Sequence, residues 1–280
     1  MNSSLALSSA TFIYALASIF YIGSFAFKKQ IFAKAGLIVL IIGFLINTLG
    51  IILRWIESYQ MGYGHAPFAN MYESLVFFSW TVAILYIFVE LKYKESIIGV
   101  FASPLVFLAI AYASLSPDMS SKITPLIPAL KSNWLIAHVI TCFLGYAGFA
   151  VAFGFSIMYF VKPKNPDARS IFAKLPSLDI IDELTYQMVV FGFLFLTIGI
   201  ITGAVWANSA WGTYWSWDPK ETWSLITWFI YATFIHCRLV KGWREKKMAV
   251  LSIIGFASVL FTYFGVNFLL SGLHSYATPS

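Results

Sequence analysis

Residues Met188–Trp206 read MVVFGFLFLTIGIITGAVW, nineteen consecutive positions without a charged side chain. At about 1.5 Å per residue, a helix of that length covers roughly the 30 Å of hydrocarbon in a bilayer. Working outward, seven more runs meet the same test: Leu5–Phe27, Ala33–Leu53, Tyr72–Leu91, Ile97–Leu115, Trp134–Val161, Trp223–Val240 and Met248–Leu270. The pattern predicts an all-α fold, a polytopic transmembrane helix bundle of about eight spans, with residues 1–280 as a single integral membrane domain. Composition agrees. The 280 residues are 60% hydrophobic and 11% charged, against roughly 25% charged in a water-soluble domain. A soluble enzyme, a disordered chain and a secreted disulfide scaffold are excluded. The first run is too long for a cleavable signal, lacks a preceding basic residue and is followed by Lys28-Lys29.

Basic residues orient the bundle. With both termini outside, the inner loops hold Lys28, Lys29 and Lys34; Lys92 and Lys94; Lys162, Lys164, Arg169 and Lys174; and Arg238, Lys241, Arg244, Lys246 and Lys247. Outside stand only Arg54, Lys122, Lys131 and Lys220. Cytoplasmic loops carry such an excess of Lys and Arg, which also accounts for the net charge of +6 without nucleic acid. The two cysteines, Cys142 and Cys237, lie in apolar runs and form no CxxC, so thiol exchange has no support.

The outer loop at about 207–223 concentrates the aromatic excess. Trp211, Tyr214, Trp215 and Trp217 fall within seven residues, with Gly212 between them and Trp206, Trp223 and Trp228 flanking. An interfacial belt explains one or two Trp at a helix end; a cluster of four in a loop suits a flat π-rich ligand. Asp218, Pro219 and Glu221 have the spacing of a helix N-cap, N1 proline and capping box, and predict the start of the seventh span. Lys220 stands beside the platform, suited to an acidic ligand group or a lipid phosphate.

Four histidines remain. His138 begins the fifth span and His274 follows the eighth, both outside; two imidazoles facing a flat ligand are what a bis-histidine haem iron requires. His65 lies in another outer loop. His236 lies within the seventh span near its inner end, where an ionisable residue is costly and marks function. At 100° per residue it shares a face with Thr222, Leu225, Phe229 and Ala232.

The run Trp211-Gly212-Thr213-Tyr214-Trp215-Ser216-Trp217-Asp218-Pro219-Lys220-Glu221-Thr222-Trp223-Ser224-Leu225 resembles the tryptophan-rich WWD motif of haem-handling proteins. Within them it is most similar to the CcsA (ResC) family of system II cytochrome c maturation. The segment His65-Ala66-Pro67-Phe68-Ala69-Asn70-Met71-Tyr72-Glu73-Ser74 and the eight-span layout resemble that family too.

The resemblance implies haem b as bound substrate, with His138 and His274 as axial ligands at an outer site. His236 would belong to an inner haem site completed by a CcsB (ResB) membrane partner. The WWD platform comprises Trp211, Gly212, Tyr214, Trp215, Trp217, Asp218, Pro219, Lys220, Glu221 and Trp223, and Arg54 is a candidate propionate partner. The implied activity is haem export and attachment to the CxxCH thiols of apocytochrome c, as part of a thioether-forming lyase complex in a bacterial cytoplasmic or thylakoid membrane. Thiol-reducing proteins would act indirectly, and no acid–base residue is required. The alternative is a haem transporter or chaperone that serves a separate lyase; an integral quinone or electron-transfer protein would want histidine pairs deep in the spans.

Overall fold

The computed structural model describes residues 2–117, 119–126, 130–163 and 171–270. They form eight helices long and apolar enough to cross a membrane, and among them there is no strand. The helices are α1 (Ser3–Phe27), α2 (Gln30–Gln60), α3 (Met71–Tyr93), α4 (Gly99–Leu115), α5 (Asn133–Val161), α6 (Leu178–Trp211), α7 (Pro219–Val240) and α8 (Lys246–Leu260). A π-helical turn, Phe261–Gly265, and a last helical turn, Val266–Leu269, prolong α8. The all-α, eight-span expectation is met.

Contacts gather the chain into two compact units. One comprises Met1–Ile127 with Pro163–Pro176, the other Pro128–Lys162 with Ser177–Ser280. Each contains four of the spans.

In the first unit α1 lies against α2 through a seven-residue spacing. A Cβ added to Gly36, Gly43 or Gly50 would stand 3.1, 2.8 or 2.5 Å from Tyr21, Tyr14 and Leu7 respectively. Between membrane helices there is little hydrophobic drive, so such small-residue contacts supply the packing. In the second unit α5 meets α6 backbone to backbone: a Cβ on Gly148 would lie 2.9 Å from the Cα of Gly192.

Both boundaries of the sixth span differ from the sequence reading. The segment from Ser177 is continuous with the sixth span, because Leu184-Thr185-Tyr186-Gln187 contains no breaker. At its other end α6 runs on through Trp211, where Gly212 adopts φ 80° and its N–H reaches the Asn208 carbonyl at 2.9 Å, a left-handed C-cap that glycine takes without strain. The aromatic loop proper is therefore 213–218.

At the end of the second unit that carries Lys241, Arg244, Lys246 and Lys247, Arg238 is paired with Asp182 and, at 3.3 Å, with Glu183. Asp182 Oδ1 also accepts the Glu245 N–H at 2.8 Å. This knot fastens the ends of α6, α7 and α8 together where their loops meet.

Candidate functional site

The loop is held from within by one carboxylate. Asp218 caps α7 with a complete capping box and Pro219 at the first position, as the spacing predicts. Glu221 does more than close that box. Its Oε2 accepts the Ser216 N–H at 2.8 Å, the Asp218 N–H at 3.2 Å and the Ser216 hydroxyl at 3.3 Å. Three donor groups of Ser216 and Asp218 are thereby gathered about one oxygen. Trp217 takes a left-handed φ of 59°, and its ring meets Trp215 edge-on at 5.7 Å. The result presents aromatic surface outward: Tyr214 is 60% and Trp217 68% exposed.

Beneath the loop lies a cavity wholly within the second unit. His138, Cys142, Phe143 and Tyr146 of α5 form one wall, Gly203 and Ala204 of α6 another; Tyr214, Trp215, Lys220 and Glu221 close one end, and Thr262 and Tyr263 come from the π turn. The space measures about 800 Å³ counting its open mouth, with a water-accessible interior of about 100 Å³.

His138 is the chemically distinctive wall residue. Its Nδ1 stands 2.7 Å from the Gly199 carbonyl oxygen. A carbonyl only accepts, so Nδ1 carries the hydrogen and in the neutral ring Nε2 carries the lone pair. That is the arrangement by which proteins orient a metal-binding imidazole. The ring also stacks on Trp206, 5.9 Å between centroids at 20°, and Trp206 packs edge-on against Trp211 at 4.8 Å. Gly203 gives the imidazole its room: a Cβ there would meet Nδ1 at 2.6 Å.

Lys220 lines the same cavity, and its Nζ donates to Asn267 Oδ1 at 3.1 Å. Asn267 is buried and donates in turn to the Tyr263 carbonyl. The π turn, a feature that often accompanies functional sites, thus sets both a wall of the cavity and the seat of the lysine.

Of the predicted site residues, the structure brings together His138, Tyr214, Trp215, Lys220 and Glu221. Gly212, Trp217, Asp218 and Pro219 shape the loop around them. Trp211 ends α6 as a packing partner of Trp206, and Trp223 packs on Phe261 at 4.2 Å. His236 lies near the far end of α7 and is exposed, together with Phe229, on the outward side of that helix. His274 lies outside the described residues.

Arg54 belongs to the first unit. Its Nε bonds Glu73 at 2.6 Å, its NH1 bonds the Ser121 carbonyl at 2.8 Å, and its guanidinium covers Tyr72. The pair is buried, so its demonstrable work is to tie α2 to α3. His65 is buried in the same unit, with Nδ1 and Nε2 each 2.9 Å from a carbonyl oxygen, of Ala66 and Thr124. It pins the segment 61–70 to residues 119–126.

Sequence reading missed Cys142, Tyr146, Thr262, Tyr263, Asn267 and two glycines, Gly199, which gives Cys142 its room, and Gly203, which admits His138. Only Gly199 and Gly203, four residues apart in an apolar run, carried a legible signal of close helix approach.

A membrane bundle with an imidazole of fixed tautomer under an aromatic loop can seat a flat, metal-centred ligand. Comparison with known proteins gives the family. The family model "Cytochrome C assembly protein" matches residues 68–274, and the chain belongs to that family. The "Cytochrome c biogenesis protein CcsA" of Pyropia yezoensis is 42% identical, covering 82% of this chain and 82% of its own. That of Guillardia theta is 43% identical over 82% and 81%, and that of Synechococcus sp. (strain CC9902) 39% over 83% and 83%. Among solved structures, a "Cytochrome c Heme Lyase CcmF" shares the fold, with a TM-score of 0.73 at 16% identity. The match covers 98% of this chain and 48% of that one, so the chain spans about half its length. The protein is thus an integral membrane component of cytochrome c biogenesis.

Proposed function

We propose that the protein receives haem b within the membrane, displays it across the mouth of the cavity in the second unit, and holds it there for attachment to apocytochrome c. His138 Nε2 binds one axial position and His274 the other. Tyr214, Trp215 and Trp217 grip the macrocycle, and Lys220 meets a propionate. His236, on the outward side of α7, serves the inner haem site with a ligand from a CcsB (ResB) partner. The loop faces the periplasm or thylakoid lumen. The observation that carries this reading is the His138 imidazole, fixed by Gly199 and opening on the same cavity as the aromatic loop.

The attachment balances without a redox agent. Each cysteine S–H adds across a vinyl C=C: a sulfur–carbon bond forms, and the thiol hydrogen ends on the neighbouring vinyl carbon. The chain's own contribution is positioning, which alone supplies a large share of such a rate. The histidine of CxxCH then replaces one axial imidazole and releases the product.

The test is co-expression with the CcsB partner and a reporter apocytochrome in a host lacking other maturation systems, scored for thioether-linked haem. His138→Ala abolishes the product, and imidazole in the medium restores part of it by refilling the axial position. Undiminished thioether product from His138→Ala and His274→Ala alike would overturn the proposal.

A further inference from the structure

A second cavity lies in the first unit, far in sequence from the aromatic loop. It opens where α1 turns into α2 and α3 into α4, an end that carries Lys28, Lys29, Lys34, Lys92 and Lys94 against Glu90 and Glu95. Exposed Lys34 and Lys94 stand on its rim; Ala33, Leu37 and Leu91 form an apolar wall; and Glu90 lines its floor. The space is about 580 Å³ counting the opening.

Glu90 is the informative group. It is 5% exposed within a membrane-spanning helix, where a carboxyl is expensive and calls for a function. Tyr21 and Tyr86 each donate a phenol hydrogen to its Oε2 at 2.5 Å. Both phenols crowd one oxygen, so Oε1, without a hydrogen-bond partner among the described residues, is left for a donor in the cavity. The carboxyl is also seated firmly: the ring of Tyr21 packs against Gly36 and Gly99, where no side chain intervenes.

The rim is made for an anion. Lys34 and Lys94 supply charge, and Lys29 gives α2 no side-chain cap, which leaves first-turn N–H groups for the same purpose. A water-borne phosphate has no use for the Leu37–Leu91 wall, or for Leu91 being 59% exposed beside it. An amphiphile uses both.

We propose that this cavity binds a phospholipid whose headgroup carries a hydrogen-bond donor beyond its phosphate. The phosphate sits between Lys34 and Lys94, the donor reaches Glu90, and the acyl chains lie along Leu37 and Leu91. Basic pockets between membrane helices hold anionic headgroups in this way.

Native mass spectrometry of the delipidated full chain, titrated with phosphatidylglycerol, phosphatidylcholine or inorganic phosphate, tests it. One phosphatidylglycerol is retained, and phosphatidylcholine, which has the phosphate but no donor, binds about tenfold more weakly. Lys34→Gln with Lys94→Gln, both on exposed positions, lowers retention by about thirtyfold. Glu90→Gln erases the preference between the two lipids while circular dichroism holds. Equal retention by the double lysine variant, or displacement of the lipid by millimolar inorganic phosphate, overturns the proposal; the second outcome makes the cavity a free-anion site.

Discussion

Gly203→Ala separates the site from the fold. The added Cβ would stand 2.6 Å from His138 Nδ1 and 2.7 Å from its Cε1, whereas ordinary contact begins at 3.4 Å. The ring must withdraw by the difference of 3.4 and 2.6, about 0.8 Å. A withdrawal of that size along the N–H···O line stretches its 2.7 Å bond to the Gly199 carbonyl to about 3.5 Å, outside hydrogen-bonding range. The carbonyl is not orphaned, because Thr202 Oγ1 still donates to it at 3.1 Å. Alanine also favours the helix by up to about 1 kcal/mol over glycine. That gain roughly offsets the lost hydrogen bond, worth about 1 kcal/mol, so the variant keeps its fold while its imidazole loses the bond that fixes tautomer and direction. Loss of such a supporting bond costs about 10- to 100-fold in metal affinity, or about 1.4 to 2.7 kcal/mol. The assay is haem titration of the purified protein followed by its absorption band, with unfolding midpoint as control. In a His138→Ala background the same change should add nothing, as a double-mutant cycle requires for one shared contact. Wild-type affinity and spectrum in Gly203→Ala, at unchanged stability, would refute the assignment of His138.

Three other changes probe the scaffold. Glu221→Ala removes the oxygen that gathers the loop, and a lost cap of about 1 kcal/mol predicts roughly fivefold faster amide exchange at Ser216 and Asp218; unchanged protection would show that the aromatic packing alone holds the loop. Asp182→Asn leaves buried Arg238 with only the half-exposed Glu183. Breaking such a pair costs about 3 kcal/mol, read as a shifted denaturant midpoint in detergent, and a change below about 1 kcal/mol would place the knot among surface ion pairs. His65→Ala frees the Thr124 carbonyl and exposes residues 119–126 to limited proteolysis without altering the haem band; loss of the band with the segment still protected would make His65 a ligand.

What was legible in the sequence follows from how each feature is encoded. Spans are written in contiguous apolar runs, and the capping box at Asp218 in three neighbouring residues, so both were readable. The α6 boundary was misplaced at Trp206 because tryptophan commonly marks an interface, while the stop that matters is Gly212, the first residue free to turn left-handed. The cavity was readable only in part. His138 and Tyr214 stand 76 positions apart, and no local pattern says that Gly199 orients one or that a π turn at Phe261–Gly265 completes the wall. Even the glycines were ambiguous, since a run such as Met188–Trp206 uses glycine both for packing and for clearance.

Helix α7 shows where periodicity stops informing. The 100° rule put Thr222, Phe229 and His236 on one face, and the structure keeps them there: Phe229 is 57% exposed, Ile226 beside it 37% and Leu239 beyond it 67%. A wheel cannot say whether such a face looks inward to the bundle or away from it. Here the opposite face is the buried one, with Thr227, Tyr231, Phe234 and Arg238. The fourteen steps from Thr222 to His236 rise about 21 Å, with Phe229 and His236 on the side turned away from the core. Under the proposed function, a partner helix that completes the inner site at His236 would therefore approach along this exposed face of α7.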